Sequence, residues 1–424
     1  MSQKRFQVWD YKLKTLTPVH IGTGEEIAPL EYHLSKVLVV PDLDKLFTKY
    51  PKSAEQFQQR LGRISSYDLS RTLLTKLIDP QYLDDPATWR YALKNVTYAS
   101  VHNDGRTFDP IQQLQREIEH EQGRVKLATK TPDFRAYIPG SSLKGAFKTA
   151  WAYSQVKGKP LLDEVARMID NSEKESRVEQ HLMNKIFQPS AQRKEANYDL
   201  FRLLQVSDTE PRRANDTLIL LGERVLSANV NARQTDREKD EARAQYKKYW
   251  TFCEAIDTDK EFNGQVSFDE MLQRDGKADK LIGWREDQKL FSVPTLCNAV
   301  NDFALDVCDW ELDYYNRLPP ADRNFDIEEA LMFYESLISD IENAPENSCY
   351  FSLGHGSGWH KLTIGILLEQ KMSSRQFASF RSNFNLARNH TNFEFPKSRK
   401  LAMRAETCAD APLGWVKMEF TPRG

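Results

Sequence analysis

The segment Tyr137-Ile138-Pro139-Gly140-Ser141-Ser142-Leu143-Lys144-Gly145-Ala146-Phe147-Lys148-Thr149-Ala150 most constrains what this chain can build. Pro139-Gly140 ends a strand-like run. Ser141 or Ser142 can N-cap the helix that follows. Leu143, Phe147 and Trp151 form its apolar stripe, and Lys144 and Lys148, four apart, share a neighbouring face. A helix start of this kind offers free backbone N–H groups, hydroxyls and two cations to a phosphate. An ordinary capped amphipathic helix reads equally well from the same residues. The segment is no nucleotide P-loop: Gly140 and Gly145 have the spacing, but Ala146-Phe147 stands where Lys-Ser/Thr is required.

Two further segments carry glycine turns. Tyr11 to Leu16 alternates as a half-buried strand, and Thr17-Pro18-Val19-His20-Ile21-Gly22-Thr23-Gly24 follows it. Far along the chain stands Leu353-Gly354-His355-Gly356-Ser357-Gly358-Trp359-His360-Lys361. Its three alternating glycines predict a loop whose N–H groups can form an anion nest. It is neither a dinucleotide fingerprint nor a nucleophile elbow, because Trp359 replaces the third glycine and Ser357 lacks glycines two positions to either side.

These three segments, in this order, resemble the RAMP superfamily of CRISPR-associated RNA-binding proteins. Fainter echoes are Phe201–Asp208, Phe262-Asn263-Gly264-Gln265-Val266 and Leu413–Met418. The resemblance implies an α+β fold of ferredoxin-like (RRM-like) units, here two diverged units with large helical insertions. It places one unit in residues 1–205 and a second, carrying the glycine-rich loop, in 206–424. It also implies an RNA-binding subunit of a type III-A (Csm) effector complex. Such a subunit caps the backbone filament at the crRNA 3′ end and supports crRNA 3′-end maturation in antiviral defence. The implied partners are crRNA and target RNA, backbone RAMP subunits, small helical subunits and recruited nucleases.

Carried onto this chain, the RNA-binding set is His20, Gly22, Gly24, Gly140, Ser141, Ser142, Lys144, Lys148, Gly354, His355, Gly356, Ser357, Gly358 and Trp359. Trp359 either stacks on a base or packs the loop. Lys148 departs from the arginine that relatives often carry, so the bidentate fork is lost. No catalytic residue, cofactor or metal is assigned. Some RAMP relatives are metal-independent endoribonucleases that use a histidine. The alternative reading is therefore an endoribonuclease of precursor crRNA with His20 as acid or base, aided by His355 or His360 if the glycine loop folds over it. A scaffold subunit that binds no RNA is a third reading.

The net charge of −2 hides segregation. Residues 126–160 carry seven Lys/Arg against one acid, and 371–404 carry eight against one, whereas 306–346 carry twelve acids against two arginines. The expectation is one face for phosphate and an acidic one turned away or docked on a basic partner. Phe377, Phe380 and Phe384 repeat at helical spacing, as a core stripe does, while Arg381, Arg388, Phe393 and Phe395 add an RNA-binding flavour. Five scattered cysteines without a C-x-x-C pair support neither a zinc site nor a disulfide framework. No apolar run spans a membrane and no signal-peptide core opens the chain, which predicts a cytoplasmic protein.

Coarse patterning predicts strand, glycine turn and strand over 6–48, with a helix from about Asp42. It predicts helices over 53–95, 111–122, 142–156, 161–204, 293–317 and 326–343. Strands are expected at 251–256, 264–268, near 349–368 and at 414–420. Residues 209–250, centred on the charged run 233–241, read as an exposed helix or loop.

Overall fold

The computed structural model describes residues 6–65, 68–69, 72–95, 109–119, 123–188, 199–229, 243–269, 292–318, 325–386 and 395–423. Its main strands are β1 (Phe6–Thr15), β2 (Gly22–Ile27), β3 (Val125–Ala128), β4 (Leu204–Val206), β5 (Leu218–Asn229), β6 (Thr251–Ile256), β7 (Glu261–Asp269), β8 (Ser348–Ser352), β9 (Ser398–Met403), β10 (Ala409–Pro412) and β11 (Trp415–Pro422). The principal helices are α1 (Gly140–Val156), α2 (Val293–Asn316) and α3 (Glu328–Glu342). The chain is a mixed α+β protein with several sheets.

The first sheet runs β8-β11-β1-β7-β4, antiparallel throughout. Trp9, Tyr11, Leu13 and Thr15 alternate inward, whereas Asp10 and Lys12 face out, as period-two patterning requires. Helices α1 and α2 cover the inner face. Phe147 meets Phe351 edge-on at 5.2 Å, and Tyr153 lies 4.6 Å from Phe303. The outer face is polar: Asp10, Lys12, Glu261, Gln265 and Glu419 are exposed there. The residue 205/206 boundary runs through this sheet, since β1 lies between β7 and β11.

The second sheet runs β10-β9-β5-β6-β3-β2, with Arg243–Tyr246 paired to β5. Its centre corrects the expectation for 209–250. Leu218, Ile219, Leu220 and Leu221 are buried on β5, so a core strand opens inside that polar stretch. The charged run at 233–241 lies outside the described residues. Strands β9 and β10 were not expected either, nor was Trp89–Leu93, which pairs with Leu38–Pro41. The helix after Asp42 forms where predicted, with the Asp42 side chain accepting from Lys45 N–H. Of the strand expected near 349–368 only Ser348–Ser352 forms, and Gly365–Lys371 is helix.

Candidate nucleic-acid interface

The glycine loop folds across the Thr17–Gly24 turn, and backbone fixes the two together. His355 N–H donates to the His20 carbonyl at 2.8 Å, Leu353 N–H to Gly414 O at 2.8 Å, and Gly414 N–H to Pro18 O at 2.9 Å. A Cβ on Gly354 would overlap the His20 carbonyl oxygen, and Gly354 sits at φ +68°, so only glycine fits. Gly356 presses on Leu413. Ser357 is buried, its hydroxyl donating to Gly354 O at 2.8 Å. Trp359 packs the loop: Phe395 lies 4.9 Å away, Phe377 and Phe380 just over 6 Å, and Gly365 is pressed against its ring. Phe377 and Phe380 are buried core residues; Arg388 and Phe393 lie outside the described residues.

This folding brings His20 and His355 together, with ring centroids 5.5 Å apart and nearly perpendicular. His20 is buried and its Nδ1 lies 2.7 Å from the Glu254 carbonyl. A carbonyl only accepts, so Nδ1 carries the proton and Nε2 keeps its lone pair toward Gly22. Burial, with the neighbouring His355 and Lys126 charges, holds His20 down to about 4 against the pull of the Glu254 carbonyl and Glu223. Nε2 of His355 lies 2.8 Å from Glu223 Oε1 and 2.9 Å from Lys400 Nζ. With its proton it donates to the carboxylate; without it, it accepts from the ammonium. Glu223 is buried on β5, and Lys400, on neighbouring β9, is part-exposed. Burial lowers the Lys400 ammonium, and Lys126 on β3 adds repulsion, while Glu223 opposes both. Beside this cluster β2 bulges, its register shifting between Gly22 and Glu26, and Gly22 through Glu26 are exposed.

A neutral, buried His20 links stability to pH. Its unfolded value is near 6.5, so its contribution is complete above pH 6.5 and is lost as pH falls toward 4, by about 3 kcal/mol in all. Urea unfolding at pH 7.5 and 5 will show a steeper loss in the parent chain than in His20→Gln. Equal losses would refute the assignment.

The third segment is built differently from the expectation. The N-cap of α1 is Pro139, not Ser141 or Ser142, and no cap side chain on the helix itself bonds back. Gly140 N–H instead donates to Asp208 Oδ1 at 2.7 Å. The chain's own carboxylate thus occupies the positive helix end. Gly140 abuts the Val206–Ser207 backbone, which leaves no room for a side chain. Lys144 Nζ donates to Leu204 O at 2.7 Å, and burial lowers its ammonium below the ordinary lysine value. Lys148 pairs with Asp199 at 2.7 Å over the Phe187 ring. Ser142 and Gly145 line an apolar cavity of about 340 Å³ that also touches Gly354, so the helix start and the glycine loop are neighbours.

The charge segments also meet one another. Lys157 binds Asp302 and Asp306, Arg404 binds Glu329, and Arg399 binds Glu311. Asp306, Glu311 and Glu329 of the acidic stretch thus pair with cations of the two basic segments within the chain. Lys126, Glu223, Glu254 and Lys400 were not singled out from sequence; only their alternation on strands that pair across long separations assembles them. Among the described residues no cluster of three metal-ligating side chains occurs, and no helix is long and apolar enough to cross a membrane.

Comparison with known proteins agrees with this architecture. The RAMP superfamily model matches residues 12–359. Csm5 of Methanocaldococcus jannaschii is 25% identical over 434 residues, covering 96% of this chain and 88% of that protein. Csm5 of Streptococcus thermophilus is 27% identical over 230 residues, 53% of this chain and 58% of that protein. Among solved structures, a chain of a type III-A Csm–crRNA–target RNA ternary complex superposes with a TM-score of 0.63 at 21% identity, covering 97% of this chain and all 100% of that one. T. onnurineus Csm5 superposes at 0.58 and 21% identity, over 96% and 99%. The chain thus belongs to the RAMP superfamily, and over nearly its whole length its likeness is to Csm5 of type III-A CRISPR systems.

Proposed function

We propose that this chain is a crRNA-binding subunit of a type III-A effector complex, capping the filament of backbone subunits at the crRNA 3′ end and supporting 3′-end maturation. The observation that carries the RNA-binding part is the glycine loop locked over the His20 turn. It sets part-exposed Lys400 and Lys126, His355 and the exposed Gly22–Glu26 backbone side by side. Cations and exposed backbone on one surface suit a phosphodiester chain. The strand order of the first sheet supports a ferredoxin-like unit: β1, α1, β4, β7, α2 and β11 follow β-α-β-β-α-β, with β11-β1-β7-β4 adjacent. The second sheet is our candidate for the diverged second unit. Because the outer face of the first sheet presents charged and amide side chains, we place RNA at the turn between the sheets.

The test is salt-dependent binding of a labelled single-stranded RNA. Lys126→Ala/Lys400→Ala will weaken binding and flatten the log–log salt slope by about 1.4, at ~0.7 per phosphate contact on a single strand. Lys144→Ala/Lys148→Ala will leave the slope unchanged and lower the melting temperature, because those lysines satisfy Leu204 O and Asp199. The reverse pattern would return the phosphate site to the α1 start.

The 5.5 Å pairing of His20 with His355 favours one second reading, a metal-independent endoribonuclease. RNA cleavage in EDTA that His20→Ala abolishes would establish it; no cleavage by the parent chain would dismiss it.

A further inference from the structure

On the other side of the β2–β3 edge lies a cavity of about 450 Å³, within the ~300–1,000 Å³ range of small-ligand pockets. Thr23 and Glu25 of the glycine turn line it together with Ile27, Leu127 and the aromatic rings of Phe57, Tyr91 and Phe134. The Tyr91 and Phe134 rings stand 5.6 Å apart at 32°. Phe134 holds φ +59°, an uncommon conformation for a bulky side chain. The tight turn that imposes it closes through Phe134 N–H to Thr131 O at 2.9 Å and Arg135 N–H to the Thr131 hydroxyl at 3.1 Å. The exposed Arg90 guanidinium lies 5.6 Å from the Phe134 ring centroid and, among the described residues, has no ion-pair partner. On the opposite side Lys130 sits 4.7 Å over Tyr91 while paired to the buried Glu254.

We infer that this cavity is a nucleobase pocket, taking one base of a single-stranded RNA against Phe134 while Arg90 pairs with the adjoining phosphate; the inference rests on the RNA-binding reading above. Aromatic faces and an arginine plane are what stack unpaired bases. Glu25 and Glu31 at the rim repel phosphate from the interior but accept from an exocyclic amino group, so adenine or cytosine is favoured over uracil. An apolar side chain from a protein partner would fill the walls yet leave Arg90 and Glu25 without counter-groups. The shared turn makes the pocket continuous with the phosphate surface: Gly22 faces His20, and Thr23 and Glu25 face the cavity.

The experiment titrates an RNA carrying one 2-aminopurine with the full chain. Phe134→Gly removes the ring while keeping a residue that accepts the positive φ; it will lower the melting temperature by the lost packing, and circular dichroism will show it folded at the titration temperature. It will lose the fluorescence quench, weaken binding about tenfold, and abolish the preference for adenine over uracil at the probe position. A folded Phe134→Gly with unchanged quench and affinity overturns the pocket. Loss of protein-subunit association with RNA binding intact also overturns it, assigning the cavity to a protein side chain. A normal salt slope in Lys126→Ala/Lys400→Ala with quenching lost in Phe134→Gly would instead sink the phosphate surface and leave the pocket standing. An unaltered chain that binds no RNA would overturn both.

Discussion

Glu311→Leu will destabilise the chain by about 3–5 kcal/mol, the cost of stranding buried charge. Glu311, on α2, is 3% exposed and is gripped from two segments far along the sequence. Arg399 Nε donates to its Oε2 at 2.6 Å, and Lys361 Nζ lies 3.8 Å from Oε1. Burial pushes the Glu311 carboxyl up, but the charges of Arg399 and Lys361 outweigh it and hold the group below its ordinary value. The cations have some support of their own. The Arg399 guanidinium lies 3.7 Å from the Tyr314 ring centroid and donates to Pro396 O at 2.6 Å, and Lys361 donates to the Tyr334 hydroxyl at 3.2 Å. None of these carries negative charge. Without Glu311 two buried cations remain, and burial already lowers Lys361 against the pull of Glu311. Glu311→Gln keeps the shape and an acceptor, so its loss will be smaller but of the same sign. Urea unfolding at pH 7 measures both; a Leu variant within about 0.5 kcal/mol of the parent would show the network to be dispensable.

Gly354→Ala is the second large effect, at about 3 kcal/mol. The φ of +68° costs an alanine about 1–2 kcal/mol. The new methyl would also run into the His20 carbonyl, and overpacking against backbone adds about 1–3 kcal/mol. Gly358→Ala is the internal control: its φ is +71°, but nothing lies within 4 Å of the added Cβ. It will show the conformational cost alone. The difference between the two melting curves isolates the contact between loop and turn. Because that contact positions His355 beside Lys400, Gly354→Ala will also weaken RNA binding, whereas Gly358→Ala will not. Equal stabilities would mean the loop moves aside freely.

Period and punctuation made much of the fold legible. The alternation of β1, the helix start near Asp42, the long α2 and the stripe of Phe377 and Phe380 could all be read along the chain. What failed was anything decided by a distant partner. The helix start at Gly140 looked open because nothing nearby in sequence is acidic enough to fill it, yet Asp208 does so from 68 residues away. Lys144 and Lys148 looked like a cationic pair for the same reason. The Leu218–Leu221 run was hidden by charge on either side, and β9 by the basic residues around it, although Arg399 on that strand is a core residue. The candidate site was half legible. The two glycine turns announce a close approach, and their partnership brings the two histidines together. The supporting Lys126, Glu223, Glu254 and Lys400 belong to four strands whose adjacency no local pattern encodes.

The position of β1 bears on how the protein is made. Trp9 pairs with Val266 on one side and Pro422 on the other. During synthesis β1 therefore has no sheet neighbour until β7 has been made, and its second neighbour, β11, comes later still. At ~5–20 residues per second the first wait is about 10–50 s. Throughout it, the apolar edge of Trp9, Tyr11 and Leu13 needs shelter, from a chaperone or from early collapse onto α1. Nascent chains arrested short of β7 should therefore expose β1 to protease, and chains extended past β11 should protect it.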